Sequence, residues 1–378
     1  MAHDHLHQHG DAPHPGDPHE HPHSGHGPTG THGTDDGRDG AEHRGGGGTR
    51  GAGEGHAEGD RHGGGHGRGA GHGGGGGHGG HGGGGRAGHG GHHDHTDLDW
   101  AEMAPVLEAQ AELYAPMYRR ALEWLAAEVP DPGLVVDVGS GPGVVSGLFA
   151  ETFPAARIVA VDGAAPLLER ARARAARLGA ADRFATVTGE LPDALDGVGA
   201  PAGLMWASQS LHHLGDQRAG LAAFAARLAP GGTLAVLEGG LPARFLPRDL
   251  GFGRPGLQAR LHALEEDEFA RMRAGLPGSV AVAEDWPALL TAAGLRHTGT
   301  RSFLLDLPAP LPDTARAYVA EVLSRQRERA ADVLDAGDRA ALDRLLDPDD
   351  EAGVHRRPDV SVLLARTVYT AVRPVAGP

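Results

Sequence analysis

Residues 134–143 read LVVDVGSGPG, and this stretch decides the fold of the chain. The apolar, valine-rich run Leu134–Val138 is typical of a buried parallel strand, and Val144–Thr152 after the glycines has the spacing of a helix. Glycine permits a tight turn and a close approach of the backbone to a ligand, and the first N–H groups of a helix have no partner inside it. A strand, a glycine loop and a helix in this order therefore predict a loop that can hold a nucleotide.

Strands and helices alternate in the rest of the chain from Trp100 onward. The further predicted strands are Arg157–Val161, Arg183–Val187, Ala202–Ala207, Thr233–Glu238, Thr298–Leu307 and Val360–Val372. The further predicted helices are Trp100–Ala127, Ala164–Leu178, Asp216–Leu228, Leu257–Met272, Trp286–Ala293 and the helical stretch 313–346. This rhythm predicts an α/β fold with a doubly wound, mostly parallel sheet of seven strands. We expect residues 241–283 and 309–358 to be insertions that cover the carboxyl edge of the sheet and build a substrate pocket, with packing or oligomerisation as the alternative.

Residues 1–95 have a different composition from the rest of the chain. They contain 21 of the 26 histidines and almost no large apolar residues. Such a segment cannot bury enough apolar surface to offset the entropy of ordering its backbone. We therefore predict a disordered tail followed by one folded domain, residues 96–378.

Histidines recur at every second position near the start of this tail. They are His3, His5, His7, His9, His19, His21 and His23. At this spacing the side chains point the same way in an extended chain, so pairs of them can share a nickel, zinc or copper ion. We expect weak binding at several sites, with a passive tail inflated by codon bias as the alternative.

Charge and cysteine content exclude several classes of function. The formal net charge is −16, which disfavours a nucleic-acid partner because phosphate binding needs an excess of basic residues. The absence of cysteine excludes disulfides, thiolate metal sites and cysteine nucleophiles. The sequence also has no apolar run of membrane-spanning length and no signal peptide, so we expect a cytoplasmic protein without a membrane partner.

The spacing of the three glycines separates two kinds of nucleotide site. A dinucleotide fingerprint reads G-x-G-x-x-G, whereas the third glycine here, Gly143, comes one position early. Asp137, just before the loop, would repel a pyrophosphate but suits a ligand that carries an ammonium group. Asp137, Gly139, Gly141 and Gly143 together resemble motif I, acidic-x-Gly-x-Gly-x-Gly, of the class I S-adenosylmethionine-dependent methyltransferases.

The resemblance covers roughly residues 105–240, with a weaker match at the closing strand 360–372. It implies that Asp162, at the end of the second strand, accepts hydrogen bonds from both ribose hydroxyls of the cofactor. It also implies that Glu190 and the next backbone N–H contact the adenine; an ordinary loop or capping carboxylate is the alternative at both acidic positions. The cofactor-binding residues implied in this way are Asp137, Gly139, Ser140, Gly141, Gly143, Asp162, Gly163, Gly189, Glu190, Leu191, Ala207 and Ser208.

The segment after the fourth strand, Trp206–Leu214, is similar to that of family members that act on small molecules. Members that methylate nucleic-acid bases carry a different motif there, and those that methylate arsenite need cysteines. The resemblance therefore implies in-line transfer of a methyl group to a small-molecule acceptor. His213, His212 and Glu238 are the candidates to take a proton from that acceptor, with a helix cap or a solvated pair as the alternative for the histidines.

Two other functions and one other site remain open at this stage. The first function is a metal-storage or sensing protein whose Rossmann-like unit binds the cofactor without transferring methyl groups. The second, an NAD-dependent oxidoreductase, is disfavoured by the glycine spacing and by Asp137. Tyr114 and Tyr118 in the first helix either pack in the core, which is favoured, or help to close over the cofactor.

Overall fold

The structure, a computed structural model, describes residues 100–375. The predicted tail, residues 1–95, and its candidate metal-binding histidines lie outside the described residues. The helices are α1 Trp100–Glu128, α2 Val144–Thr152, α3 Ala165–Arg177, α4 Gln217–Ala226, α5 Leu257–Gly275, α6 Trp286–Ala292, α7 Asp313–Arg329 and α8 Ala336–Leu346. The strands are β1 Leu134–Val138, β2 Arg157–Asp162, β3 Phe184–Thr188, β4 Ala202–Ser208, β5 Leu228–Leu237, β6 Leu241–Arg244, β7 Arg296–Leu307 and β8 Val362–Val372.

The strands form one sheet in the order β3-β2-β1-β4-β5-β8, and β7 pairs with the other side of β8. Strands β1 to β5 are parallel to one another, whereas β8 is antiparallel to β5, β6 and β7. The predicted doubly wound, mostly parallel α/β sheet is thus confirmed. The chain passes outward from β1 to β3 and then returns to β4 beside β1, so the strand order reverses there. In open sheets of this kind a ligand crevice lies at the carboxyl ends of the strands at such a reversal.

Strand β6 is an eighth, short strand that the sequence pattern did not predict. It follows β5 along the same edge of β8, because Leu237 of β5 opposes Val368 and Leu241 of β6 opposes Ala365. The break between the two strands is Gly239–Gly240, and both glycines have positive φ. A Cβ on the second of them would lie 2.3 Å from the Ala365 carbonyl oxygen, so only glycine fits here.

The helical stretch predicted over 313–346 is divided into α7 and α8. Asp335 lies in extended backbone and caps α8, since its side chain accepts a hydrogen bond from the Asp338 N–H at 2.8 Å. Strand β5 begins at Leu228, before its predicted start at Thr233, and its pairing with β4 is irregular between Ala202 and Leu204. Local capping and a strand irregularity therefore explain these two differences from the sequence pattern.

Helices cover both faces of the sheet. Val135 packs in the cluster that contains core residues of α1, α2 and α7, and Val136 packs in the cluster that contains those of α4 and α6. Successive strand residues point to opposite faces, so a strand covered on both sides is apolar throughout. Among residues 100–375, no helix combines the length and the apolar composition needed to cross a membrane.

Candidate active site

The glycine loop leads the chain from β1 into α2. Gly139, Gly141 and Gly143 have φ values of 68°, 54° and 74°, a left-handed conformation that other residues adopt only at a cost. A Cβ on Gly139 would lie 2.6 Å from Ser210 Cβ, and one on Gly143 would lie 2.4 Å from Ala171 Cβ. A Cβ on Gly141 would meet no atom within 4 Å. The outer two glycines therefore allow close packing, while the middle one borders open space.

Asp162 and Glu190 lie beside this loop. Asp162 accepts hydrogen bonds from the Gly141 N–H at Oδ2 (2.8 Å) and from the Ala164 N–H at Oδ1 (2.9 Å). Burial raises the pKa of Asp162 and the charge of Glu190 adds to this, against the lowering effect of the two N–H groups. Glu190 reaches over Gly163, where a Cβ would lie 2.9 Å from Glu190 Oε1. Each Asp162 oxygen keeps a lone pair, so the side chain can still bind a pair of hydroxyls.

Asp137 is buried under the loop, with 2% of its surface exposed. The Ser146 hydroxyl donates a hydrogen bond to its Oδ2 at 2.5 Å. Burial raises the pKa of Asp137 to about 7, and the charge of Asp162 contributes in the same direction. A cation bound above the loop would stabilise the ionised form of this carboxyl group.

The remaining predicted cofactor residues follow β3 and β4. The Gly189 N–H donates to the Asp162 carbonyl oxygen at 3.1 Å, which ties the end of β3 to the end of β2. Ala207 is fully buried and Leu191 packs against the same core cluster, so they can offer a ligand mainly their backbone. Ser208 ends β4 and hydrogen-bonds with the Tyr118 side chain.

Glu238 and His212 meet at the carboxyl ends of β4 and β5. His212 Nδ1 lies 3.1 Å from Glu238 Oε2, and Glu238 is only 4% exposed. Glu238 also accepts hydrogen bonds from the Leu211 N–H at 3.0 Å and from Gln209 Nε2 at 3.4 Å. A carboxylate that accepts from Nδ1 fixes the ring orientation and leaves Nε2 as the nitrogen that can take a proton.

The His212 ring contacts two other rings. His213 lies on one side with 4.3 Å between the ring centroids, and Phe269 of α5 lies at 5.4 Å in an edge-on arrangement. Arg273 of α5 donates to the carbonyl oxygens of His212 and Leu214 at 2.7 and 2.6 Å. The predicted insertion 241–283 thus packs against the segment that follows β4.

Three residues of this region were missed by the sequence prediction. Gln209 has φ 52°, which is rare for a residue other than glycine, and no sequence pattern indicates it. Ser210 packs on Gly139, a contact between distant parts of the chain. Arg366 did carry a signal, because it is a lone cation in the apolar strand VLLARTVYTAV.

Comparisons with known proteins decide the family. The profile of a family described as a methyltransferase domain matches residues 135–232, from β1 into β5. A trans-aconitate 2-methyltransferase of Streptomyces avermitilis is 30% identical over 229 residues, which cover 54% of this chain and 81% of that relative. The chain belongs to the class I S-adenosylmethionine-dependent methyltransferase family.

Other relatives match this methyltransferase chain over shorter regions. A trans-aconitate 2-methyltransferase of Paracidovorax citrulli is 39% identical over 106 residues, 27% of this chain and 37% of that relative. The chain thus matches well under half the length of that protein. A solved methyltransferase structure from Thiobacillus denitrificans, in complex with S-adenosyl-L-homocysteine, has a TM-score of 0.37 and 16% identity, covering 66% of this chain and 89% of that one.

S-adenosylmethionine is the family's cofactor, and the residues around the loop fit it. The open space over Gly141 and the buried carboxyl group of Asp137 suit an aminoacyl group with its ammonium. Among the described residues, the buried hydroxyls of Ser140 and Ser210 have no hydrogen-bond partner. Buried polar atoms of this kind are expected to bind water or a ligand.

Proposed function

We propose that this methyltransferase transfers the methyl group of S-adenosylmethionine to a small-molecule acceptor. The observation that supports this most is the convergence of the glycine loop, Asp137 and Asp162 where the strand order reverses. In this arrangement Asp162 would hold the ribose hydroxyls, and Glu190 with the following N–H would hold the adenine. The loop and Asp137 would hold the methionine part.

The protein contributes to the reaction by positioning the acceptor against the methyl group, by excluding water and by supplying a base. The bound cofactor would supply a methyl group on a sulfonium sulfur, which would keep the electron pair of the broken carbon–sulfur bond when the acceptor's nucleophile takes the methyl carbon. Where the nucleophile is a hydroxyl or a C–H acid, His212 Nε2 takes the proton while Glu238 holds Nδ1–H. A carboxylate nucleophile is already ionised and needs no base.

The relatives suggest which acceptor to assay first. Several of them are named trans-aconitate 2-methyltransferases, so trans-aconitate is the natural starting compound. Transfer of a labelled methyl group to trans-aconitate and to a set of phenols and amines tests the acceptor class directly. Cofactor binding without transfer to any acceptor would favour the alternative of a non-catalytic binding protein.

Calorimetry with S-adenosylmethionine and S-adenosylhomocysteine on the full-length protein tests the cofactor site. We expect the wild type to bind both, and Asp162→Ala to weaken binding by about tenfold or more, because it removes charge-assisted hydrogen bonds. Asp182→Ala is the control, since Asp182 is exposed at the opposite end of the neighbouring strand and carries the same charge. Absence of binding to the wild type would overturn the proposed function, and an unchanged affinity in Asp162→Ala would overturn the ribose assignment.

We also propose that the seven alternating histidines between His3 and His23 bind a divalent metal ion. Their alternate spacing supports this, because neighbouring members can share one ion. A nickel titration compares the wild type with a variant in which the seven alternating histidines are alanine. The control replaces seven other histidines of residues 1–95, namely His32, His43, His56, His62, His66, His72 and His78. We expect the first variant to lose more nickel binding than the control, and equal losses would contradict the proposal.

A further inference from the structure

Arg366 is a half-buried cation on β8. Its Nη1 donates to the carbonyl oxygens of Leu241 at 3.0 Å and Ala365 at 3.3 Å. Within residues 100–375 its guanidinium forms no ion pair with any Asp or Glu. Burying part of a charge without a counter-charge costs free energy, so an anion bound here would stabilise the arrangement.

Arg316 shows what a purely structural arginine looks like in the same protein. It is buried, and its Nε and Nη1 donate to three carbonyl oxygens, those of Leu311, Val354 and Arg357, at 2.7 to 3.0 Å. Arg366 uses only Nη1 in its two bonds. The guanidinium fork has five N–H donors, so donors remain on Arg366 for a carboxylate.

Three buried tyrosines lie within the electrostatic reach of Arg366. The hydroxyls of Tyr114 in α1 and Tyr318 in α7 are 3.2 Å apart, and Tyr118 hydrogen-bonds with Ser208. Burial raises the pKa of all three, that of Tyr118 to about 12, while the nearby charge of Arg366 acts in the lowering direction on each. The hydroxyls therefore stay protonated at neutral pH and can donate hydrogen bonds.

Arg366 also lies close to the carboxyl end of β5, where Glu238 of the candidate active site follows. The Glu238 N–H donates to the Thr367 carbonyl oxygen at 3.3 Å, and a Cβ on Gly240 would lie 2.9 Å from Arg366 Cα. The backbone of Arg366 thus lies beside the glycine break between β5 and β6. Strand β8 is three strands from β1, which is about 14 Å at ordinary strand spacing.

We infer that Arg366, assisted by the hydroxyls of Tyr118 and Tyr318, binds a carboxylate of the methyl acceptor. The acceptor is then a small organic acid. This inference rests on the proposed methyltransferase function and names its substrate class. It also agrees with how charge is arranged, because the acidic Asp137 and Asp162 lie on the β1–β2 side, where the cationic cofactor would bind.

Calorimetry on the full-length protein saturated with S-adenosylhomocysteine tests this site. The probes are trans-aconitate, succinate and cinnamate, each paired with its neutral amide. We expect the wild type to bind at least one of the acids, and to bind it more tightly than its amide. Arg366→Gln should weaken the binding of that acid by about tenfold or more. Arg366→Lys keeps the charge but loses the forked guanidinium, so it should weaken the binding less.

Arg301→Gln is the matched control, because Arg301 is an exposed cation on the neighbouring strand β7. We expect its affinity for the acid to stay within about twofold of the wild type, since exposed charges contribute little. Affinity for S-adenosylhomocysteine should be unchanged in all three variants, which also shows that they are folded. If the wild type does not bind S-adenosylhomocysteine, the proposed function itself is overturned. The carboxylate site alone is overturned if no acid binds, if the amides bind equally well, or if Arg366→Gln matches the wild type.

Discussion

Burial raises the pKa of Asp137 from 3.8 to about 7, and no cation among residues 100–375 offsets this shift. In the unfolded chain the group ionises near its ordinary pKa, so the folded state holds its proton over a wider pH range. Relative to a neutral side chain, the stability contribution of Asp137 is undiminished below about pH 4 and is lost as pH rises toward 7. Burial of this carboxyl group therefore destabilises the free protein at neutral pH.

Asp137→Asn should raise the free energy of unfolding at about pH 8 by 1 kcal/mol or more, because the amide has no charge to bury. The gain should shrink as the pH falls toward 5, and urea denaturation at several pH values measures it. The same variant should bind S-adenosylmethionine more weakly, because the ammonium loses its counter-charge. Asp131→Asn, at the exposed amino end of β1, is the control and should change neither quantity. A stability gain that does not vary with pH would show that Asp137 is not the group responsible.

His212 and His213 are neighbours, but the contact of His212 with Glu238 gives them different roles. His212→Asn keeps a donor toward Glu238 and removes the Nε2 acceptor. For a hydroxyl or C–H acceptor, kcat should fall about 100-fold while the affinity for S-adenosylhomocysteine is unchanged. Transfer to a carboxylate should hardly change, because no proton has to be removed.

His213→Asn provides the comparison in the same steady-state assay. We expect a much smaller loss of kcat, since Glu238 Oε2 contacts the ring of His212. A larger loss in His213→Asn than in His212→Asn would reverse the assignment.

The three glycines in the turn from β1 into α2 have different structural roles. Gly141→Ala should cost only about 1 kcal/mol of stability, from the left-handed backbone alone, because its Cβ would meet no atom within 4 Å. It should still weaken cofactor binding, since the methyl group fills the space above the loop. Gly143→Ala should cost about 3 kcal/mol or more, because its Cβ would lie 2.4 Å from Ala171 Cβ of α3.

A double variant checks the packing argument for these elements. Gly143→Ala combined with Ala171→Gly removes the clashing Cβ, so it should recover part of the stability lost in Gly143→Ala. Thermal unfolding and calorimetry with S-adenosylhomocysteine measure the two effects separately. If Gly141→Ala destabilises the protein as much as Gly143→Ala does, the distinction between packing and ligand space is wrong.

The elements that carry the loop could be predicted because their signal is local. Only the glycine loop separates β1 from α2 in the sequence, and Asp162 is the last residue of the next strand. Strand β6 has no such signal, since it forms only where a glycine break lets the chain continue along β8. The same holds for the setting of Arg366, which depends on residues of α1 and α7 far away in the sequence.

At the scale of the whole molecule, net charge acts on the two ligands in opposite ways. The chain carries a formal charge of −16, which attracts cations and repels anions over a distance set by salt. S-adenosylmethionine has a net positive charge at neutral pH, whereas S-adenosylhomocysteine lacks the sulfonium and is a neutral zwitterion. An anionic acceptor has to approach against the overall field and relies on the local charge of Arg366.

Raising sodium chloride from about 20 to 200 mM should therefore weaken S-adenosylmethionine binding by about two- to threefold, because screening removes the long-range attraction. S-adenosylhomocysteine, the matched neutral ligand, should change by much less. The affinity for an organic acid should stay constant or rise slightly, since screening reduces the repulsion by the molecule more than the short-range attraction by half-buried Arg366. Calorimetry at the two salt concentrations measures all three affinities. If the affinity for the acid falls with salt as strongly as the affinity for the cationic cofactor does, exposed charges rather than Arg366 bind the acid.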